Sequence, residues 1–318
     1  MGPDPMSRPF FVAILGPTAT GKSALALALA GHFGGEIINC DSTAVYRGFD
    51  IGTDKLTPEE QRGIPHHLID VADPTGEYTA ARYAADAAAQ VRNVHGRGHL
   101  PLVVGGTGFY YRALTRGLFP GPACDPEFRR RLNEIARRRG GSTLHRLLGR
   151  VDHESAVRIQ SRDIKRIVRA LEVFHLTGRP LSTHFADTKP PLPEFDVIAI
   201  ALRLPAARIS ERVERRIAQQ FARGLLDEIR CLLAAGVPET ARPFGGLVYR
   251  QALEHLKGLR DEASTRRLIA QENRRYARRQ LTWFRKEPGL VWIEGPGEST
   301  TAFEDACSLV GARVGIPS

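Results

Sequence analysis

The segment that most constrains this chain is a glycine-rich loop between a strand pattern and a helix pattern near the N-terminus. Residues 16–23 read GPTATGKS and fit the pattern G-x-x-x-x-G-K-[ST]. The apolar run Phe10–Leu15 before the loop is typical of a buried strand, and the run of helix formers after it stops at Gly34. Backbone N–H groups in such a loop surround phosphate oxygens at the positive end of the helix. The sequence therefore predicts a site for a diphosphate or triphosphate.

Further apolar runs that do not alternate with polar residues predict four more strands, at 36–40, 100–104, 196–202 and 290–293. Such strands, separated by helical segments, are typical of a parallel sheet covered on both faces. We therefore predict an α/β fold with a doubly wound parallel sheet. Residues 125–181 are almost free of strand patterns, and the proline-rich stretch 189–193 follows them. We predict a helical insertion at 122–194 within a core of residues 8–121 and 195–318.

The basic residues, the apolar runs and the cysteines indicate which partners and which cellular compartment to expect. The 318 residues carry a net charge of +10, and all but six of the 45 basic residues are arginine. Arginine suits a polyanionic partner, although a GC-rich genome also replaces lysine by arginine, and composition leaves both explanations open. Without a long apolar run or a signal-peptide pattern, we expect a cytoplasmic protein that does not bind membranes. The four well-separated cysteines favour buried free thiols over a disulfide framework or a cysteine-based zinc site.

One acidic residue follows a predicted strand, in the segment INCDST around Asp41. ATPases and GTPases usually carry such an acid on another strand, but strand 100–104 runs into Gly105, Gly106 and Thr107. In an open parallel sheet, ligands lie beyond the carboxyl ends of the strands, so we expect Asp41, Thr107 and the loop to converge. Position alone leaves three roles for Asp41 open: a magnesium ligand, a helix N-cap or a general base.

An arginine-rich helix is predicted near the C-terminus, at 268–286. Helical spacing puts its apolar and aromatic residues on one face: Ile269, Ala270, Tyr276, Ala277, Leu281, Trp283 and Phe284. Its basic residues fall on the other face, with Arg279 on the flank: Arg274, Arg275, Arg278 and Arg285. We interpret the aromatic residues as core and the basic face as a surface for a nucleic-acid backbone. The arginines at 129–131 and 137–139 fit either a solvated helix face or such a surface.

Seven blocks in this sequence resemble the tRNA dimethylallyltransferase (tRNA isopentenyltransferase) family. They span nearly the whole chain, at 16–23, 40–55, 65–70, 103–114, 162–182, 248–253 and 274–286. The blocks CDSTAVYRGFDIGTDK and RALEVFHLTGRPLS are far more specific than the glycine-rich loop. The resemblance implies a P-loop NTPase-like fold. It also implies transfer of a dimethylallyl group from dimethylallyl diphosphate to N6 of the adenosine on the 3′ side of the tRNA anticodon, with release of diphosphate.

The resemblance also implies roles for individual residues. The diphosphate would be bound by Gly16, Pro17, Thr18, Ala19, Thr20, Gly21, Lys22 and Ser23, with Mg²⁺ at Ser23. Asp41 would be the general base, and Arg216 and Lys22 would stabilise the departing charge. Residues matching positions that touch tRNA are Asp41, Ser42, Thr43, Ala44, Thr107, Arg129, Lys165, Arg166, Ile167, Val168 and Arg169. The helical insertion would bind the anticodon stem-loop, and we expect a monomer.

The chain departs from the family pattern at Thr43 and Ala44, where many relatives have Met-Gln, so an amide contact to a loop base is absent. Three other hypotheses fit parts of the sequence. A P-loop kinase of a small metabolite fits the loop alone but leaves the basic insertion without a role. Prenyl transfer to a free adenine nucleotide fits the chemistry but needs no basic insertion. A non-catalytic RNA-binding module uses the loop only to hold backbone phosphate.

Overall fold

The computed structural model describes residues 8–119 and 121–314. Six parallel strands form one sheet in the order β3-β2-β4-β1-β5-β6. They are β1 (Phe10–Leu15), β2 (Gly35–Asn39), β3 (His66–His67), β4 (Leu100–Gly105), β5 (Asp196–Arg203) and β6 (Leu290–Glu294). The predicted doubly wound α/β sheet is confirmed. Strand β3 was not predicted, because two residues carry no periodic signal.

Helices connect these strands and build the rest of the described chain. They are α1 (Lys22–Phe33), α2 (Ala80–Gly96), α3 (Gly108–Arg116), α4 (Pro126–Arg139), α5 (Gly141–Val151), α6 (His153–Arg158), α7 (Ile164–Thr177), α8 (Leu181–Ala186), α9 (Ala206–Ala222), α10 (Leu225–Ala234), α11 (Leu247–Leu256), α12 (Glu262–Phe284) and α13 (Thr300–Val314), with a 3₁₀ turn at Arg242–Gly245. Helix α1 begins and ends where its sequence pattern predicted.

The sheet separates two apolar cores, because successive side chains of a strand point to opposite faces. Phe11 and Leu15 of β1 pack in one core with residues of α2, α3 and α9–α12. Val12 and Ile14 of the same strand pack in the other core with α1 and α13. All four side chains are at most 2% exposed. Burial on both faces explains why these strands read as continuous apolar runs.

The chain divides into two compact units, of which the second is Arg116–Pro191 and holds α4–α8. The sequence placed this insertion at 122–194, so both boundaries differ by a few residues. Phe119 packs against the core of the helical unit. The unit therefore begins before residue 122, where the sequence had placed its start. Leu192 is 5% exposed and packs in the core of the first unit. The helical unit therefore ends before residue 194, where the sequence had placed its end.

A buried carboxylate organises the helical unit. Glu172 of α7 is fully buried, and its two oxygens accept hydrogen bonds from Arg129 Nε and Nη2 at 2.8 Å and from Arg169 Nη1 at 2.6 Å. The backbone N–H of Asp125 donates to it as well. Burial by itself would raise the pKa of Glu172, but the hydrogen bonds from the two arginines and Asp125 outweigh it and leave the pKa below its usual value.

We expect Glu172→Gln to lower the free energy of unfolding by about 2 kcal/mol, because charged hydrogen bonds are lost while the arginines still reach water. A lowered folded-state pKa means that the carboxylate stabilises the fold above the unfolded pKa, about 4.3, and that this is lost as pH falls below it. Urea denaturation of both proteins at pH 7 and pH 3.5 measures this. Glu134, in the same unit, partly exposed and paired with Arg137 and Arg138, is the matched control. Equal stability of wild type and variant at pH 7 would contradict the prediction.

Two expectations drawn from composition concern membrane spans and thiols. None of the helices in the described residues is both long and apolar enough to cross a bilayer. The four cysteines are free, as expected, but only Cys40 is buried. Cys124 and Cys231 are exposed, so the expectation of burial was wrong for both. These two lie on helix or loop surfaces, which a count of cysteines does not reveal.

Candidate active site

The phosphate loop, residues 16–23, follows β1 at the carboxyl edge of the sheet. Its backbone has a positive φ at three positions, 134° at Gly16, 64° at Ala19 and 91° at Gly21. A Cβ atom at Gly21 would lie 2.7 Å from the backbone nitrogen of Gly297, so only glycine fits there. Thr20 Oγ1 donates to Pro17 O at 2.9 Å and closes the loop on itself. The loop thus has the geometry that the sequence pattern predicted.

Lys22, the first residue of α1, extends its side chain back over this loop. Its Nζ donates to Pro17 O at 2.7 Å. Burial and, after it, the positive charge of Arg216 lower the pKa of Lys22 to about 8, against the opposing effect of Asp41. A phosphate ligand would supply a negative partner for this partly buried ammonium group.

Side chains from distant helices hold the loop in place. Gln280 of α12 accepts from the backbone N–H of Thr18 at 2.9 Å and donates to Gly106 O at 2.8 Å. Arg212 of α9 donates from Nε to Ala19 O at 2.6 Å. Sequence reasoning missed both residues, because their role depends on contacts across more than 190 residues.

Arg216, one helical turn after Arg212, reaches the same loop. Its Nη1 donates to Thr18 Oγ1 at 2.8 Å, and its Nε lies 2.9 Å from Asp54 Oδ2. The structure therefore brings together Arg216, Lys22 and the phosphate loop, which are far apart in sequence. Two cations beside a loop of N–H groups form a site for a polyanion.

Asp41 lies beyond the carboxyl end of β2, where Asn39 Nδ2 donates to its backbone oxygen at 3.0 Å. Its Oδ1 accepts from the backbone N–H of Thr43 at 2.8 Å and from Thr43 Oγ1 at 2.6 Å. Residues 42–45 form a turn and not a helix, which removes the helix N-cap from the three roles considered for Asp41. The carboxylate keeps Oδ2 for a ligand or a proton.

The end of β4 brings Thr107 to this turn. A Cβ atom at Gly105 would lie 2.1 Å from Cys40 O, so glycine is needed for the two strand ends to meet. Thr107 Oγ1 then accepts from the backbone N–H of Ser42 at 3.0 Å. The predicted convergence of Asp41, Thr107 and the phosphate loop is present in the structure.

Helix α12 departs from the predicted division of its faces. Ile269, Ala270, Ala277 and Phe284 are buried as expected. Tyr276 instead lines the cavity, where burial first and then the nearby Asp41 carboxylate raise the pKa of its hydroxyl. Arg274 was expected on the outer face, but its Nη1 pairs with Glu214 Oε1 of α9 at 3.0 Å. Helix α9 packs along this side of α12, which the periodicity of one helix does not reveal.

A cavity of about 630 Å³ in the first unit joins these groups. Residues that the sequence assigned to diphosphate or tRNA and that line the cavity are Thr18, Ala19, Gly21, Lys22, Ser23, Asp41, Ser42, Thr43, Ala44 and Arg216. Gly16, Pro17 and Thr20 shape the loop behind it. The cavity thus places a polyanion site and a carboxylate side by side.

In the helical unit, the residues expected to touch tRNA differ in exposure. Lys165 and Arg166 are exposed at the start of α7, and Arg166 pairs with Asp163. Arg129 and Arg169 are half-buried on Glu172, as described above. Ile167 and Val168 are at most 4% exposed in the core of the unit, so their side chains are not available to RNA. A helix that carries a recognition face necessarily buries its other face.

Comparisons with known proteins identify the family of this chain. The sequence profile of the IPP transferase family matches residues 44–287. A tRNA dimethylallyltransferase from Solibacter usitatus is 47% identical over 96% of this chain and 99% of its own length. One from Geobacter metallireducens is 44% identical over 90% of this chain and 93% of its own. The crystal structure of a tRNA isopentenylpyrophosphate transferase from Bacillus halodurans has a TM-score of 0.71 and 32% identity, covering 96% of this chain and 97% of that one. The chain therefore belongs to the IPP transferase family of tRNA dimethylallyltransferases.

Proposed function

We propose that this protein transfers a dimethylallyl group from dimethylallyl diphosphate to N6 of the adenosine on the 3′ side of the tRNA anticodon. The observation that carries the proposal is the shared cavity of the phosphate loop, Arg216 and the Asp41 carboxylate. Its relatives are named for transfer of this group to tRNA. Action as a monomer is part of the proposal.

The donor diphosphate binds at the phosphate loop. Backbone N–H groups of residues 19–23 and the ammonium group of Lys22 surround its oxygens. As the bond between the allylic carbon and oxygen breaks, the electron pair leaves with the diphosphate and its charge rises. Arg216, 2.8 Å from Thr18 Oγ1, is placed to stabilise that charge. The same groups then hold the diphosphate product.

The acceptor amine attacks the allylic carbon from the Asp41 side of the cavity. An aromatic amine is a weak nucleophile, and positive charge develops on N6 as the new N–C bond forms. Asp41 accepts the N6 proton and offsets this charge, while Thr43 holds its other oxygen in place. The Tyr276 hydroxyl lies near this carboxylate and is hydrogen-bonded to Thr107.

Magnesium belongs to the proposal, with the Ser23 hydroxyl as its protein ligand. Mg²⁺ prefers oxygen ligands, keeps several waters and shares substrate phosphates. Ser23 lines the cavity directly after Lys22, so its hydroxyl is the type of oxygen that this cation takes beside a diphosphate. Bound there, the cation would neutralise charge on the leaving group.

The tRNA loop presents the adenine after flipping it out of its stack. Exposed basic side chains of α12 and of the two residues after it form a surface for the phosphate backbone, namely Arg275, Arg278, Arg279, Arg285 and Lys286. Within residues 8–119 and 121–314, no carboxylate forms an ion pair with any of these five. Lys165 and Arg166 supply a second basic surface in the helical unit. This charge favours tRNA over a free nucleotide as the acceptor.

A transfer assay tests the proposal. Dimethylallyl diphosphate labelled in the allyl group is incubated with magnesium and unmodified tRNA, with AMP and ATP in parallel. We expect label in tRNA only. Label in AMP or ATP alone would replace tRNA by a free nucleotide, and ATP turnover without transfer would indicate a kinase.

A further inference from the structure

We propose that Asp54 is a positioning residue that orients the Arg216 guanidinium over the phosphate loop and shares its charge with the diphosphate. This inference rests on the proposed role of Arg216 in stabilising the leaving group. Asp54 belongs to the segment GTDK, for which neither the motif nor the mechanism above provides a role. Asp54 lines the same cavity as Asp41, but its carboxylate contacts Arg216.

The Asp54 carboxylate fixes one edge of the Arg216 guanidinium. Asp54 Oδ2 lies 2.9 Å from Arg216 Nε, while Arg216 Nη1 donates to Thr18 Oγ1 at 2.8 Å. Two contacts at different nitrogens fix the plane of this group. Both charged side chains are 32% exposed, so this pair is shielded more than a surface ion pair.

The backbone at Asp54 is held in an unfavourable region. Its φ is 63°, which few residues other than glycine adopt, although aspartate and asparagine tolerate it best. Such a conformation persists only where the surroundings impose it. Here the backbone N–H of Asp54 donates to Ile51 O at 3.1 Å in a tight turn. The turn aims the carboxylate at Arg216.

The surroundings of this turn are anchored from three sides. Lys55, 8% exposed, donates to Tyr46 O and to Asp50 Oδ1, both at 2.7 Å. Glu228 of α10 accepts from the backbone N–H of Asp50 and of Ile51 at 3.0 and 2.7 Å. Tyr249 of α11 accepts from the N–H of Gly52 at 2.9 Å. The turn is therefore rigid where it meets the guanidinium.

This arrangement has opposite effects on binding and on catalysis. The Asp54 carboxylate repels a bound diphosphate and competes with it for Arg216, so it weakens ground-state binding. It also fixes the guanidinium for the charge that develops as the leaving group departs, which favours the transition state. Loss of the charge should therefore tighten diphosphate binding while it slows transfer. A purely structural residue would weaken both.

The test compares Asp54→Asn with Asp70→Asn. Asparagine tolerates the backbone of Asp54, so the fold is retained while the charge is removed. Asp70 is a matched control because it also has a positive φ, 57°, but its carboxylate contacts Lys55 and not Arg216. We expect Asp54→Asn to lower kcat about tenfold and to tighten the Kd of dimethylallyl diphosphate, measured by calorimetry without tRNA, about threefold or more. Asp70→Asn should neither lower kcat tenfold nor tighten the Kd.

Three results would overturn the inference. Weaker diphosphate binding in Asp54→Asn would show that the residue is structural, and unchanged Kd and kcat would show that it has no role in binding or transfer. An equal loss of kcat on Asp54→Asn in wild-type and Arg216→Ala backgrounds would show that it does not act through Arg216. Failure of the proposed function looks different: tRNA would receive no label even with the wild-type protein. The calorimetric Kd would still test Asp54 in that case.

Discussion

Replacement of Asp41 by asparagine is expected to slow dimethylallyl transfer by about 10²–10⁴-fold, the range typical of a lost general base. An amide cannot accept the N6 proton, although it keeps the size of the side chain. The amide oxygen can still accept from Thr43, so the turn and tRNA binding should persist. Single-turnover transfer with labelled donor measures the rate, and filter binding measures the affinity for tRNA.

Asp73 provides a matched control for this change. Its Oδ1 accepts from the backbone N–H and the hydroxyl of Thr75, as that of Asp41 does from Thr43. Asp73 lies in an exposed turn and does not line the cavity. Asp73→Asn should therefore leave transfer unchanged. A similar rate for wild type and Asp41→Asn would remove Asp41 from the mechanism.

Lys22→Met is expected to reduce kcat/KM for the donor by about 10²–10³-fold, comparable to the loss of one preorganised group at a developing anion. Methionine keeps the length of the buried side chain, so the packing around α1 changes little. Lys22 belongs to the phosphate loop itself, and its Nζ contacts Pro17 O at 2.7 Å. Steady-state kinetics with varied dimethylallyl diphosphate measure the effect.

The control for this change is Lys286→Met. Lys286 is exposed after the end of α12 and far from the phosphate loop in the sequence. Its loss should affect the KM for tRNA and leave that for the donor unchanged. If Lys22→Met retained full kcat/KM for the donor, the diphosphate would have to bind elsewhere.

The parts of the site carried by local patterns were predictable. The phosphate loop, its flanking strand and helix, and the position of Asp41 after β2 follow from short-range periodicity and glycine spacing. The convergence of Asp41 and Thr107 followed from the rule that ligands lie at the carboxyl ends of parallel strands. Resemblance to a family added Arg216, which no local pattern singles out.

The groups that sequence reasoning missed act across long distances in the chain. Gln280 contacts Thr18 across 262 residues, and Asp54 meets Arg216 from a loop without periodicity. Tyr276 was taken as core because helical spacing does not distinguish an apolar core from a cavity wall. Ile167 was expected to touch tRNA but is buried. A match to an RNA-contacting block does not reveal which face of the helix is buried.

The most direct test of the central claim is the product itself. Unmodified tRNA is incubated with the protein, magnesium and dimethylallyl diphosphate, and its nucleosides are then analysed by mass spectrometry alongside released diphosphate. The account predicts one N6-dimethylallyladenosine per diphosphate, located on the 3′ side of the anticodon. Diphosphate release without a modified nucleoside, or a prenyl group elsewhere in the tRNA, would contradict it.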